Sequence, residues 1–337
     1  MSIESRKSQL KGYLLEIALS NLVGKSGFHN IESENGKDII LKNGSLYIRG
    51  RGGNHQCDTL GELEHNIPFA VSQRLFLEAK FKKSKTSIDV VRNGIGLIGD
   101  INQNMVTVDM ETSDLYMKNY HYLYAIFSTS GFTEDAIKMA LAYNIFLVDL
   151  GGDIYSELRE AISDAVEKVY FERDNLSSAQ LSDYKKQYRN ALLHNRNPEL
   201  NEYNQGIEEL VYRTRKFPNL LFAYNGSSNT ILLKPEKEDS FISYIKESPN
   251  HKMEIYWKDV DGLRQEWSIE PVNRNFGYYK LNFTLPKALA NIIFNPDSPD
   301  GISKRAIDIK NRVFNQISLF VTDEQGQQHY VTLKYGH

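Results

Sequence analysis

"RLFLEAKF", residues 74–81, reads as a β-strand whose side chains alternate between two faces. Glu78 and Lys80 project to one side, and Leu75, Leu77, Ala79 and Phe81 to the other. A carboxylate and an amine therefore stand next to each other on a strand whose opposite face is apolar. Upstream lies "RGGNHQCDTLGE", residues 51–62, a Gly-rich segment. The same alternation through "HQCD" puts Gln56 and Asp58 together and turns Cys57 the other way, as a small core filler. If the two strands are neighbours, Asp58 and Glu78 meet.

Working outward, "KGYLLEIALSNLVGKSGF" predicts a largely buried first helix closed by Gly24 or Gly27. "DIILKNGSLYIRG" predicts a hairpin turning at Asn43 and Gly44. After "RLFLEAKF" come a helix in "SIDVVRNGIGLIGDINQNM", a strand in "YHYLYAIFSTSG", an amphipathic helix in "FTEDAIKMALAYN" and a strand in "IFLVDL". This order describes an α/β domain with a mixed sheet over residues 1–155. Residues 156–216 change to charge-rich helical stretches, a connector or bundle. In 217–337 aromatic and β-branched runs return, which predicts a separate β-rich, sandwich-like domain.

A chain of 337 residues is long enough for two or three such units. Its formal net charge of −3 excludes a protein that coats nucleic acid indiscriminately, so any such contact needs a local basic patch. One cysteine, Cys57, excludes an internal disulfide and a thiolate zinc cluster. No apolar run reaches membrane-spanning length and the N-terminus has no secretory leader, so the expectation is a cytoplasmic protein without a membrane partner.

Two carboxylates meeting over a sheet repel unless a cation lies between them. A hard divalent ion such as Mg²⁺ suits one or two carboxylates, waters and phosphate oxygens. Such a site is adapted to phosphodiester hydrolysis, with Lys80 orienting the water or neutralising charge in the transition state. Lys82, Lys83, Lys85 and Arg92 supply a cationic surface beside it for a phosphate backbone. Ser128, Thr129 and Ser130 are expected to cap the following helix, whose free N–H groups also suit a phosphate.

Asp58 followed by Glu78-Ala79-Lys80 resembles the PD-(D/E)xK nuclease signature, and its surroundings resemble the Mrr-type restriction endonuclease branch. In that branch a first helix carrying a glutamate precedes a Gly-rich stretch ending in the catalytic aspartate, similar to Glu16 in "GYLLEIAL" and to "GRGGNHQCD". Cys57 stands where the signature carries proline. The resemblance covers roughly residues 10–150. It implies a restriction-endonuclease-like fold and a Mg²⁺-dependent DNA endonuclease, with Mn²⁺ able to substitute. Asp58 and Glu78 would hold the metal, and Asp58, Glu78, Lys80, Glu16 and Gln56 would form the catalytic set. Its implied setting is restriction or anti-phage defence, with residues 156–337 serving recognition, homodimer formation or a partner protein.

Blander readings stand beside these. Glu78 and Lys80 also suit a surface ion pair on a half-buried strand, Glu16 a solvent-facing glutamate, the three lysines a solvated strand end, and His55 a turn residue. A nuclease fold without activity, serving as a DNA-binding or regulatory module, is the alternative from another class. "RNALLH" places Arg189 and His194 in the R-(N/D/H)-x-x-x-H pattern of HEPN ribonucleases, which implies metal-free RNA cleavage; an exposed helix face is the simpler reading.

Overall fold

The computed structural model describes residues 2–42, 44–64, 71–104, 106–107, 116–117, 120–171, 176–199, 206–216, 220–225, 229–259, 264–286, 314–323 and 325–336. Asn43 of the expected turn, 202–205 at the start of the third helical stretch, and the 217–219 junction lie outside them. The N-terminal elements are α1 (Ile3–Lys25), β1 (Phe28–Asn30), β2 (Ile39–Lys42), β3 (Ser45–Arg49), β4 (Asn54–Cys57), β5 (Thr59–Leu63) and β6 (Ser72–Lys80). They continue with α2 (Ile88–Asn102), β7 (Val106–Thr107), β8 (Tyr116–Met117), β9 (Tyr120–Ser128), α3 (Glu134–Ala142) and β10 (Phe146–Asp149).

The central sheet has the order β1-β5-β6-β9-β10 and is mixed. β1, β5 and β6 pair antiparallel, whereas β6, β9 and β10 run parallel. Alternation along β6 divides the domain into two cores. Leu75, Leu77 and Ala79 join α1 on one face, and Phe76 joins Val91 of α2 and Ala136 of α3 on the other. Gly61 of β5 permits the close approach of α1, since a Cβ there would stand 2.6 Å from a Val23 methyl. The small sheet β2-β3-β4 inserts Ile39, Ile48 and Cys57 into the α2 side.

The first helix begins earlier than its apolar run, at Ile3, because Ser2 caps it by accepting from Ser5 N–H. Gly27 follows its end at φ +82°.

α4 (Ser156–Tyr170) and α5 (Ser178–His194) pack on α1, α6 (Ile207–Arg215) packs on α4 and α5, and the four share one core through Ile162, Val166, Tyr188 and Leu210. They form a helical layer over one face of the sheet.

The C-terminal region departs from the expected sandwich. β11 (Leu221–Asn225), β12 (Asn229–Pro235), β13 (Asn250–Asp259), β14 (Arg264–Pro271), β15 (Leu281–Pro286), β16 (Gln316–Thr322) and β17 (Gln328–Tyr335) form one closed seven-stranded barrel, ordered β11-β12-β15-β14-β13-β17-β16. The antiparallel pair β11 with β16 joins the ends of this order, and within it β13 and β17 pair parallel. Closure removes the open edges a sandwich leaves, and strand periodicity does not distinguish the two. An unforeseen helix, α7 (Glu238–Glu247), sends Phe241, Tyr244 and Ile245 into the barrel core. Among the described residues no helix is long and apolar enough to cross a membrane.

Candidate active site

β5 and β6 are neighbours, with Thr59 opposite Leu77. One step further in the same register brings Asp58, at the bend between β4 and β5, level with Glu78. Asp58 Oδ2 accepts the Ala79 backbone N–H at 2.8 Å, so the aspartate is tied to the middle of the Glu78-Ala79-Lys80 triplet. Lys80 Nζ donates to Glu78 Oε1, and the Tyr124 hydroxyl donates to Glu78 Oε2 at 3.2 Å. Tyr124 lies opposite Phe76 in the parallel β6–β9 register, which sets its ring beside Glu78. Nothing in its local sequence marks it, because that register is a property of the assembled sheet.

The electrostatics are those of a crowded acidic pair. Burial, then the charge of Glu78, pushes the Asp58 carboxyl up to about 6, against the opposing pull of the Ala79 N–H and Lys80. Glu16 belongs to the same cluster. Burial, then Asp58, raises it to about 8, with Lys185 and Arg189 of α5 opposing. Its own backbone carbonyl accepts the Thr59 hydroxyl at 3.3 Å, which fixes α1 next to the Asp58 bend.

Two neighbouring carboxylates suit a hard cation that keeps most of its waters. Asp58 and Glu78 have that chemistry. Among the described residues no group of three or more His, Cys, Asp and Glu side chains is arranged to hold a metal by protein atoms alone, so solvent or substrate oxygens would have to complete the shell.

Gln56 does not join the cluster. β4 belongs to the small sheet, the chain bends at Asp58, and alternation does not carry across the bend; Gln56 is exposed and accepts from the Tyr47 hydroxyl at 3.4 Å. Cys57 is buried, as its alternation predicts. His55 contacts Asp100 at 2.7 Å, and Asp100 also accepts from Gly52 N–H at 2.8 Å, so this pair holds the Gly-rich loop against α2. Lys82, Lys83 and Lys85 are exposed after β6, and Arg92 is exposed with Asp89 at 3.2 Å.

Ser128, Thr129 and Ser130 do not cap α3; Thr133 does, accepting from Ala136 N–H. The three hydroxyls instead lock the 82–86 loop. Thr129 Oγ1 accepts from Lys82 N–H at 3.2 Å, Ser128 Oγ accepts from the Thr86 hydroxyl at 2.9 Å, and Ser130 donates to the Ser84 carbonyl at 2.6 Å. Ser128 is fully buried and out of reach of a phosphate. Arg189 and His194 both reach Glu32, at 3.5 and 3.3 Å.

No protein-family model matches the chain, and no curated protein matches it. Among solved structures it is similar to the crystal structure of a protein of unknown function, AF1548, at 14% identity and a TM-score of 0.35, over 61% of this chain and 97% of that one. A likeness at that level carries no argument.

Proposed function

We propose that the protein is a Mg²⁺-dependent DNA endonuclease with a restriction-endonuclease-like N-terminal domain, acting in the cytoplasm in restriction or anti-phage defence. The observation that carries this reading is the bond from Ala79 N–H to Asp58 Oδ2, which joins the aspartate to the Glu78-Ala79-Lys80 triplet on a central strand.

Asp58 and Glu78 would hold Mg²⁺, or Mn²⁺ in its place, and the bound ion would polarise the phosphate and lower the pKa of a water. Tyr124 orients the Glu78 carboxylate from behind. Lys80, paired with Glu78, would orient the attacking water or neutralise charge that builds on the phosphate. Lys82, Lys83 and Lys85 give the DNA backbone a cationic approach, Arg92 extends it along α2, and Glu16 stands next to the Asp58 bend through its carbonyl bond from the Thr59 hydroxyl. Gln56, on the small sheet, has no part in this mechanism. Because one site cuts one strand, duplex cleavage calls for a homodimer or a partner protein, and the barrel offers the surface for it or for target recognition.

Plasmid incubated with Mg²⁺ tests the reading. The wild-type protein and His194→Ala should nick it, and EDTA, Glu78→Ala or Lys80→Ala should abolish nicking. Cutting that survives Glu78→Ala overturns the assignment, and EDTA-resistant RNA cleavage lost in His194→Ala replaces it with the HEPN reading.

A further inference from the structure

A cavity of about 570 Å³ opens where the C-terminal turns of α1, α5 and α6 meet β1. That volume falls within the range of small-molecule sites, about 300–1,000 Å³. Its walls are braced from several elements. Asn30 of β1 donates to the Ser20 carbonyl of α1 at 2.8 Å, Arg215 donates to the Ala191 carbonyl at 2.7 Å and to the Asn195 side chain at 2.9 Å, and Thr322 of the barrel donates to the Lys25 carbonyl at 3.3 Å.

Charge on these walls is unevenly spent. Two carboxylates line the cavity and both are engaged: Glu32 by Arg189 at 3.5 Å and His194 at 3.3 Å, and Glu64 by the Gln328 amide. Two cations line it with capacity left. Lys25 is half-buried and makes no ion pair among the described residues. Burial lowers its pKa from the ordinary lysine value, with Glu238 opposing and Arg215 reinforcing the shift. Arg215 makes both of its bonds through Nη2, which leaves Nη1 and Nε for a ligand. Cations in last helical turns also answer the carbonyl ends of α1 and α6, but that role does not account for the open space both side chains line.

Another part of the wall is apolar. Phe28 and Leu193 are only partly taken up by the core and line the cavity. An aromatic ring of this kind offers a stacking face to a base, and paired cations offer charge to a phosphate.

We propose that this cavity binds a nucleoside phosphate, with Lys25 and Arg215 on the phosphate and Phe28 and Leu193 against the base. The site is separate from the Asp58–Glu78 pair and does not rest on the nuclease reading. It also gives "RNALLH" a structural part, since Arg189 and His194 hold Glu32 in the wall.

The test is isothermal titration of the full chain in EDTA with AMP, GMP, CMP and UMP, with a 5′-phosphorylated trinucleotide, and with inorganic phosphate. At least one nucleotide probe should bind tenfold or more tightly than phosphate, and Lys25→Ala or Arg215→Ala should weaken it by about tenfold or more. Lys25→Arg should retain binding. Tighter binding of the trinucleotide assigns the site to the end of a strand, and tighter binding of a monophosphate to a free nucleotide; either supports the inference. If the alanine variants fail to fold, Lys25→Gln, which keeps the half-buried stem, is read in the same way. No binding of any probe up to about 1 mM, phosphate binding as tightly as the nucleotides, or nucleotide binding that the variants leave unchanged overturns the inference. Each of these results leaves the plasmid assay, and with it the nuclease reading, unaffected.

Discussion

Gly94 of α2 stands against the tyrosine that orients Glu78. A Cβ at this position would lie 2.4 Å from Tyr124 Cε1, 3.0 Å from Cδ1 and 3.1 Å from Cζ. The ring is 3% exposed, packs on Phe76 with centroids 5.2 Å apart, and holds Glu78 through its hydroxyl, so it has no free direction in which to move. Gly94→Ala gains about 1 kcal/mol of helix propensity. Overpacking costs about 1–3 kcal/mol, and a contact well inside 3 Å with a ring held on two sides belongs at the upper end.

The expected outcome is a net loss of about 2 kcal/mol. Gly96 and Gly99 in the same helix are internal controls, since nothing lies within 4 Å of their Cβ positions. Gly96→Ala should therefore stabilise by up to about 1 kcal/mol. Urea unfolding of the two variants measures the difference, and Tyr124→Ala in the Gly94→Ala background should recover part of the loss. Gly94→Ala with a midpoint at or above wild type refutes the reasoning, as does a loss that Tyr124→Ala leaves unrelieved.

Three further outcomes are expected. Glu16 is raised from 4.5 to about 8 and Asp58 from 3.8 to about 6, so each stabilises the fold most below its unfolded value, and that stability is lost as pH rises through the folded one. The thermal midpoint in EDTA should thus fall between about pH 4 and pH 8, and Glu16→Gln should flatten the upper part of that fall; a variant profile parallel to wild type contradicts the assignment. Tyr124→Phe removes a hydrogen bond to a charged group worth about 1.5–3 kcal/mol, so the unfolding free energy should fall by about that amount and plasmid nicking should slow by roughly tenfold or more, which a urea melt and steady-state rates check together. Arg74 is 3% exposed and binds Asp38 at 2.8 Å, Glu62 at 2.9 Å and the Tyr122 hydroxyl at 2.8 Å, so Arg74→Leu should cost about 3–5 kcal/mol by leaving Asp38 buried and uncompensated; an unfolding curve close to wild type counts against it.

The site was legible in the sequence where the chemistry is local. Glu78 and Lys80 share a face because strand alternation puts them there, and Glu16 is conspicuous as the lone charge in the apolar stretch from Gly12 to Gly24. Gln56 was misplaced by the same rule, because alternation holds only while a strand stays straight and this one bends at Asp58. Tyr124 carries no local mark, since it reaches Glu78 by the β6–β9 register.

The amino-acid order by itself determined the periodicities: an apolar first helix, short strands in an α/β sequence, a charge-rich helical stretch and a β-rich end. These follow from neighbours along the chain, whose spacing sets which faces are apolar. Only the tertiary structure decided that β5 lies beside β6, that seven strands close into a barrel, and that the ends of α1, α5 and α6 meet β1 around one cavity. Partner choice of this kind depends on non-local contacts summed over the whole chain, so no short stretch encodes it.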